Sequence, residues 1–193
     1  MTPVRDILAW LPCRDRWVIA ALGLAIGVLA GAILGWSHAV PVAGLAVLSA
    51  AIARIDGAHF IIPDLLVLPL ALLGLLDAAV SGVPVLPRVM AMLVLGGVLL
   101  GLRAGVSVWT ARTALGLGDV KLICAAAAWL PFAVLPPFIF LSALSGLVEV
   151  VLRPALPGLT AVDPVAFGRH LAPWLCLCVL AGPWIVAALG GRN

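Results

Sequence analysis

Residues 17–36 read WVIAALGLAIGVLAGAILGW: twenty residues without a charge, opened by Trp17 and closed by Trp36. A helix rises 1.5 Å per residue, so the steps between the two tryptophans cover roughly 28 Å, close to the hydrocarbon thickness of a bilayer. Tryptophan favours the two membrane–water interfaces, and this pair is spaced to occupy both. The run is longer than the apolar core of a signal peptide and is expected to stay in the chain as a span.

The rest of the composition agrees. Of 193 residues, 65% are hydrophobic and 10% charged, and mean hydropathy is +1.28. A soluble domain carries about 45–50% apolar and about 25% charged residues. These figures exclude a soluble enzyme, a disordered chain and a disulfide-stapled secreted module. The net charge of +3 comes from 11 Lys+Arg against 8 Asp+Glu with no dense basic run, so no nucleic-acid partner is expected. The cysteines, Cys13, Cys124, Cys176 and Cys178, form no CxxC pair and read as small packing residues.

Seven stretches are candidates for crossing a bilayer: about 17–36, 40–55, 64–80, 88–109, 120–133, 135–152 and 168–189, the second and fifth being short. The division between the last pair but one rests on Pro131, Pro136 and Pro137. The expected fold is therefore all-α, a polytopic membrane helix bundle of about seven transmembrane helices. Residues 1–16 form a cytoplasmic arm and 17–193 the membrane-embedded domain. With the N-terminus in the cytoplasm, the inside holds Arg5, Arg14, Arg16, Arg54, Arg103, Arg112, Lys121, Arg153 and Arg169, and the outside only Arg88 and Arg192. The opposite orientation reverses this positive-inside bias.

Carboxylates are costly near a membrane, so each is a candidate for function. Asp56 and Asp64 fall in the expected loop between spans two and three, Asp119 at the entry to span five and Glu149 near the end of span six. Asp6, Asp15 and Asp163 lie on the same cytoplasmic side, and only Asp77 toward the outside, solvated. Two patterns stand out: Asp56-Gly57-Ala58-His59-Phe60-Ile61-Ile62-Pro63-Asp64 and Gly116-Leu117-Gly118-Asp119-Val120-Lys121-Leu122. Two carboxylates sharing a site cannot both ionise cheaply, which yields one acid and one base at a single pH. Such a pair activates water and protonates a leaving amine with no metal, cofactor or covalent intermediate. Simpler readings stand beside this one. Asp119 and Asp64 suit helix N-caps, Lys121 suits snorkelling, His59 suits an interface, and Glu149–Arg153 is an i,i+4 ion pair.

The two patterns together, D-x7-D with Ile62-Pro63-Asp64 and then GxGDxKL some 60 residues on, resemble the type IV prepilin peptidases, GxGD-type membrane aspartic proteases. Leu68-Pro69-Leu70 and Ala166-Phe167-Gly168-Arg169-His170-Leu171 extend the resemblance to about residues 42–190. It implies that Asp56 and Asp119 are the catalytic pair, with Asp64, Gly116, Gly118 and Lys121 supporting the site. It implies as substrate a prepilin or pseudopilin precursor, cut after a glycine at the cytoplasmic face of the inner membrane, the bilayer being the other partner. Bifunctional relatives carry a cytoplasmic insert with two CxxC pairs; here only Ser37–Ala39 separates the first two spans, so the resemblance is to the short, peptidase-only form. Arg169-His170 stands where Pro is more usual. Rival readings are another GxGD protease, preflagellin or presenilin-like, and a non-enzymatic transporter or assembly protein. Within the pair, helix dipoles suggest an ionised Asp119 at a helix start and a protonated Asp56 past a helix end.

Overall fold

The computed structural model describes residues 10–110, 115–153 and 165–188. The expectations attached to Arg5, Asp6, Arg112, Asp163 and Arg192 lie outside the described residues. Among those described there is no strand. The helices, in order, are α1 (Cys13–Leu34), α2 (Ala39–His59), α3 (Asp64–Val80), α4 (Val85–Thr110), α5 (Leu117–Trp129), α6 (Leu135–Leu152) and α7 (Gly168–Ala188). A short 3-10 turn, Trp36–His38, joins α1 to α2, and another, Phe132–Val134, precedes α6. Among the described residues, five stretches are long and apolar enough to cross a membrane: 14–34, 36–59, 85–109, 132–152 and 168–188.

α3 and α5, at 17 and 13 residues, fall short of that length. The reason differs from a simple boundary shift for α5. At 1.5 Å per residue it is about 20 Å long, but most of it is buried: Val120, Leu122, Ile123 and Ala125 through Trp129, with Lys121 exposed. It packs against α3, α4 and α7, which cover its buried side. Leu130 leaves the helical region and Pro131 follows, which stops α5; Pro136 and Pro137 open α6, where a missing N–H costs nothing. The sequence's division at these prolines is the observed one.

The core gathers Val42, Leu45 and Ile52 of α2, Leu70 of α3, Leu122 and Trp129 of α5, Phe138 of α6, and Leu171 and Leu175 of α7. Small residues set the approach distances. A Cβ built on Gly74 of α3 would stand 2.7 Å from Trp129 Cδ1 and 3.0 Å from the backbone of Ala128. The indole occupies that notch and its Nε1–H donates to Leu70 O at 2.8 Å. Large apolar side chains face outward on α1 (Leu24, Val28) and along α4 (Leu93, Val94, Val98). That is the pattern of helices whose solvent is lipid.

Charged groups collect at the helix ends. At one end the start of α1 is tied to α2 by Arg54 Nε donating to Asp15 Oδ2 at 3.0 Å. The other end has a cavity of ≈ 340 Å³ whose lining includes His38, Asp77, Ser81 and Arg88. Asp77 is not the solvated residue expected from its terminal position: His38 Nδ1 pairs with its Oδ1 at 2.8 Å. The two meet because α1–α2 and α3 turn back at the same level.

Gly74→Val is expected to lower stability by about 1–3 kcal/mol through overpacking against Trp129, read as a lower apparent Tm in detergent. Gly97→Val, which meets no atom within 4 Å, is the control expected to leave the Tm unchanged.

Candidate active site

α2 runs four residues further than its apolar stretch, to His59. Asp56 therefore sits on the last turn of α2 rather than in a loop, and is buried at 4% exposure. The helix stops at Phe60, a non-glycine residue held at φ 55°, whose N–H closes on Asp56 O at 2.8 Å. Left-handed backbone at a phenylalanine is strained by about 1 kcal/mol or more and persists where the surroundings impose it. Ile61, Ile62 and Pro63 then run extended into α3, whose first residue is Asp64.

The second pattern opens α5. Its N-cap is Gly116, so Asp119 is the third helical residue and does not itself cap. Its carboxylate instead reaches back to the Gly116 backbone N–H, the acidic half of a capping box. A side chain at 116 would obstruct this, since a Cβ there would lie 2.7 Å from Asp119 Oδ2. Gly118 serves packing: a Cβ would stand 3.0 Å from Ile62 Cβ. Asp64 does not cap α3 either; the cap position is Pro63. It accepts from Lys121 Nζ at 2.7 Å, so Lys121 is engaged in a bridge between α3 and α5 rather than snorkelling alone.

Asp56 and Asp119 line one cleft of ≈ 270 Å³, together with Phe60, Ile61, Ile62, Gly116, Leu117, Gly118 and Lys121. The charge of Asp56 acts on Asp119 across this cleft. The structure thus brings five of the six residues singled out by the sequence into the cleft wall, and Asp64 to its rim through Lys121. His59 is outside it, exposed, its ring 4.9 Å from that of Trp10. Among the described residues no group of three or more His, Cys, Asp or Glu side chains is gathered as metal ligands would be.

A third element was not expected at the site. Arg169 N–H, in the first turn of α7, donates to Asp56 Oδ2 at 3.1 Å across 113 residues of sequence. The Gly168 backbone amide also faces this carboxylate, and a Cβ at 168 would lie 2.8 Å from the same oxygen. This overturns the dipole contrast drawn from the sequence. Asp56 is on the last turn of α2, but its carboxylate is presented to the start of α7. Both carboxylates thus meet helix N-termini, and the dipoles do not set them apart. The Phe167-Gly168 segment was visible in the sequence; nothing in its spacing tied it to Asp56.

Comparison with known proteins gives one family match: the model of the type IV leader peptidase family matches residues 42–151. Among curated relatives, the chain is 34% identical to the prepilin leader peptidase/N-methyltransferase of Dickeya chrysanthemi, over 73% of this chain and 48% of that protein. It is 36% identical to the protein of the same name in Neisseria gonorrhoeae, over 84% of this chain and 54% of the relative. For the Escherichia coli K12 relative the figures are 36%, 64% and 53%. The chain thus spans about half the length of the curated relatives it matches. No solved structure matches.

Gly168→Ala is expected to push Asp56 off the α7 amide and slow the site's reaction by about tenfold or more, as small misplacements of reacting groups do. Gly182→Ala, on the same helix with nothing within 4 Å, is expected to leave the rate unchanged at equal protein abundance.

Proposed function

This chain belongs to the type IV leader peptidase family, and we propose that it is a membrane aspartic endopeptidase that removes the short basic leader of type IV pilin-like precursors. The observation that carries this reading is the sharing of one cleft by Asp56 and Asp119. One carboxylate takes a proton from water while the other, protonated, hydrogen-bonds the scissile carbonyl oxygen. Attack forms the C–O bond; collapse of the tetrahedral intermediate breaks the C–N bond, and the departing amine takes up a proton from the dyad. Gly116 and Gly118 keep the cleft wall low beside Asp119, and the Phe60–Ile62 segment forms the opposite wall. The Lys121–Asp64 bridge holds α5 to α3 at the rim.

The precursor's apolar helix lies in the bilayer beside the bundle, and its basic leader emerges at the end where Asp56, Asp64 and Asp119 collect. In this proposal that end faces the cytoplasm and the protein resides in the inner membrane. The basic residues support the orientation: Arg14, Arg16, Arg54, Lys121, Arg153 and Arg169 lie toward the same end, and Arg88 toward the other.

Two measurements test the proposal. Co-expressed with a prepilin, Asp56→Asn and Asp119→Asn are each expected to reduce cleavage by about 10²-fold or more at unchanged abundance, because an amide fills the space but exchanges no proton. Asp64→Asn is expected to be milder, since an exposed ion pair contributes about 0–1 kcal/mol. Near-normal cleavage by either dyad variant overturns the assignment. For orientation, single cysteines at Arg14 and Leu65 in a chain lacking native cysteines are expected to label only from the cytoplasm, and at Ser37 and Val83 only from outside. Labelling of residue 65 from outside overturns the cytoplasmic placement.

A further inference from the structure

Glu149, in the last turn of α6, carries more partners than its helix predicts. Arg153 donates to Oε1 from Nη2 at 2.6 Å, the i,i+4 pair legible in the sequence. Oε2 accepts from the Arg169 guanidinium and from His170 Nε2, the latter at 2.8 Å. The imidazole is fixed in turn: its Nδ1 lies 3.1 Å from Ser145 Oγ, which also accepts from Trp174 Nε1 at 3.0 Å. Glu149 is therefore a stationary carboxylate, 15% exposed, between α6 and α7.

Arg169 is the residue that links it to the cleft. Its backbone N–H bonds Asp56, while its side chain crosses the residue after Asp56. A Cβ built on Gly57 would stand 3.0 Å from Arg169 Cδ and 3.9 Å from its Nη1. The guanidinium thus passes the last turn of α2 and continues to Glu149. Its charge still reaches Asp56. An arginine on a flexible stem takes a carboxylate in a bidentate grip when one is in reach.

We propose that Glu149 is a positioning residue of the cleft: it is the counter-anion that holds the Arg169 guanidinium off Asp56, so that α7 offers Asp56 a backbone amide and not a full cation. This rests on the reading of Asp56 as a member of the dyad. Without Glu149, Arg169 turns to the next carboxylate among the described residues, which is Asp56, and occupies the oxygens that must exchange a proton with water and substrate. The Arg169-His170 pair, where the sequence departs from the family pattern, thereby acquires a specific requirement: a carboxylate at position 149.

The test uses the full chain in lipid nanodiscs with two readouts. The first is infrared difference spectroscopy of each protein against its Asp56→Asn counterpart, which isolates the Asp56 carboxyl bands. The second is cleavage of a prepilin, resolved into kcat and KM. Glu149→Gln is expected to move the Asp56 bands to those of a guanidinium-paired carboxylate and to lower kcat by about tenfold or more, with KM little changed. Glu149→Gln combined with Arg169→Leu is expected to return the bands and recover most of kcat, because the stray cation is gone. A merely structural staple between α6 and α7 predicts the reverse, a double variant as poor as the single one. Unchanged Asp56 bands in Glu149→Gln, or no recovery in the double variant, overturns the proposal. Should Glu149→Gln fail to accumulate, Glu149→Asp carries the same test, with a smaller loss and the same rescue expected. If wild type cleaves no precursor, the functional reading falls, and the infrared comparison alone still decides the role of Glu149.

Discussion

The bundle is organised around a helix too short to reach across it. α5 is 13 residues long and most of its residues are buried against α3, α4 and α7, while its first turn opens on the cleft that holds Asp119. A helix start carries unpaired N–H groups, which cannot be left in an apolar setting without partners. The Gly116–Asp119 box meets part of that demand from within the sequence. That first turn forms one side of the cleft, through Gly116, Leu117, Gly118, Asp119 and Lys121. Trp129, seated in the Gly74 notch and bonded to Leu70 O, fixes α5 against α3 at the far end. The register of α5, and with it the position of Asp119, depends on that packing.

Asp56 is held differently. It lies on a long helix whose final turn continues past the apolar run, and its position is completed by a helix more than a hundred residues away. α7 brings glycine to the point of closest approach and an arginine directly after it. The glycine lets backbone touch a carboxylate; the arginine brings a cation beside the same carboxylate. The first is useful to a dyad only if the second is occupied elsewhere, and Glu149 on α6 occupies it. Four helices, α2, α5, α6 and α7, thus converge on two acidic side chains. The strained turn at Phe60 aims the chain from α2 back into α3 along the cleft's edge.

Among the described residues the helices and most of their limits were legible in the sequence, because apolar run length and proline positions report directly on what can cross or must break. The exceptions are informative. α2 continues through Asp56 because burial against α7 offsets the cost of a carboxylate in a helix's last turn. Asp77 is paired rather than solvated because His38 arrives at the same level from another hairpin. Of the six residues marked in the sequence, five line the cleft and Asp64 stands at its rim; they were marked because two short Asp- and Gly-bearing patterns sit at a recognisable spacing in an otherwise apolar chain.

What the sequence by itself determined is therefore the all-helical architecture, the gathering of acidic groups at one end, and the identity of the residues that line the cleft. These follow from local properties: hydropathy over twenty residues, charge, and spacing along one segment. Only the tertiary structure decided which groups surround each carboxylate. The contact of Arg169 N–H with Asp56, the bridge from Lys121 to Asp64 and the capture of Arg169 by Glu149 join residues 20 to 113 positions apart. No local pattern encodes such pairs, because they arise from the side-by-side packing of helices whose facing sides are chosen by the shape of a shared core.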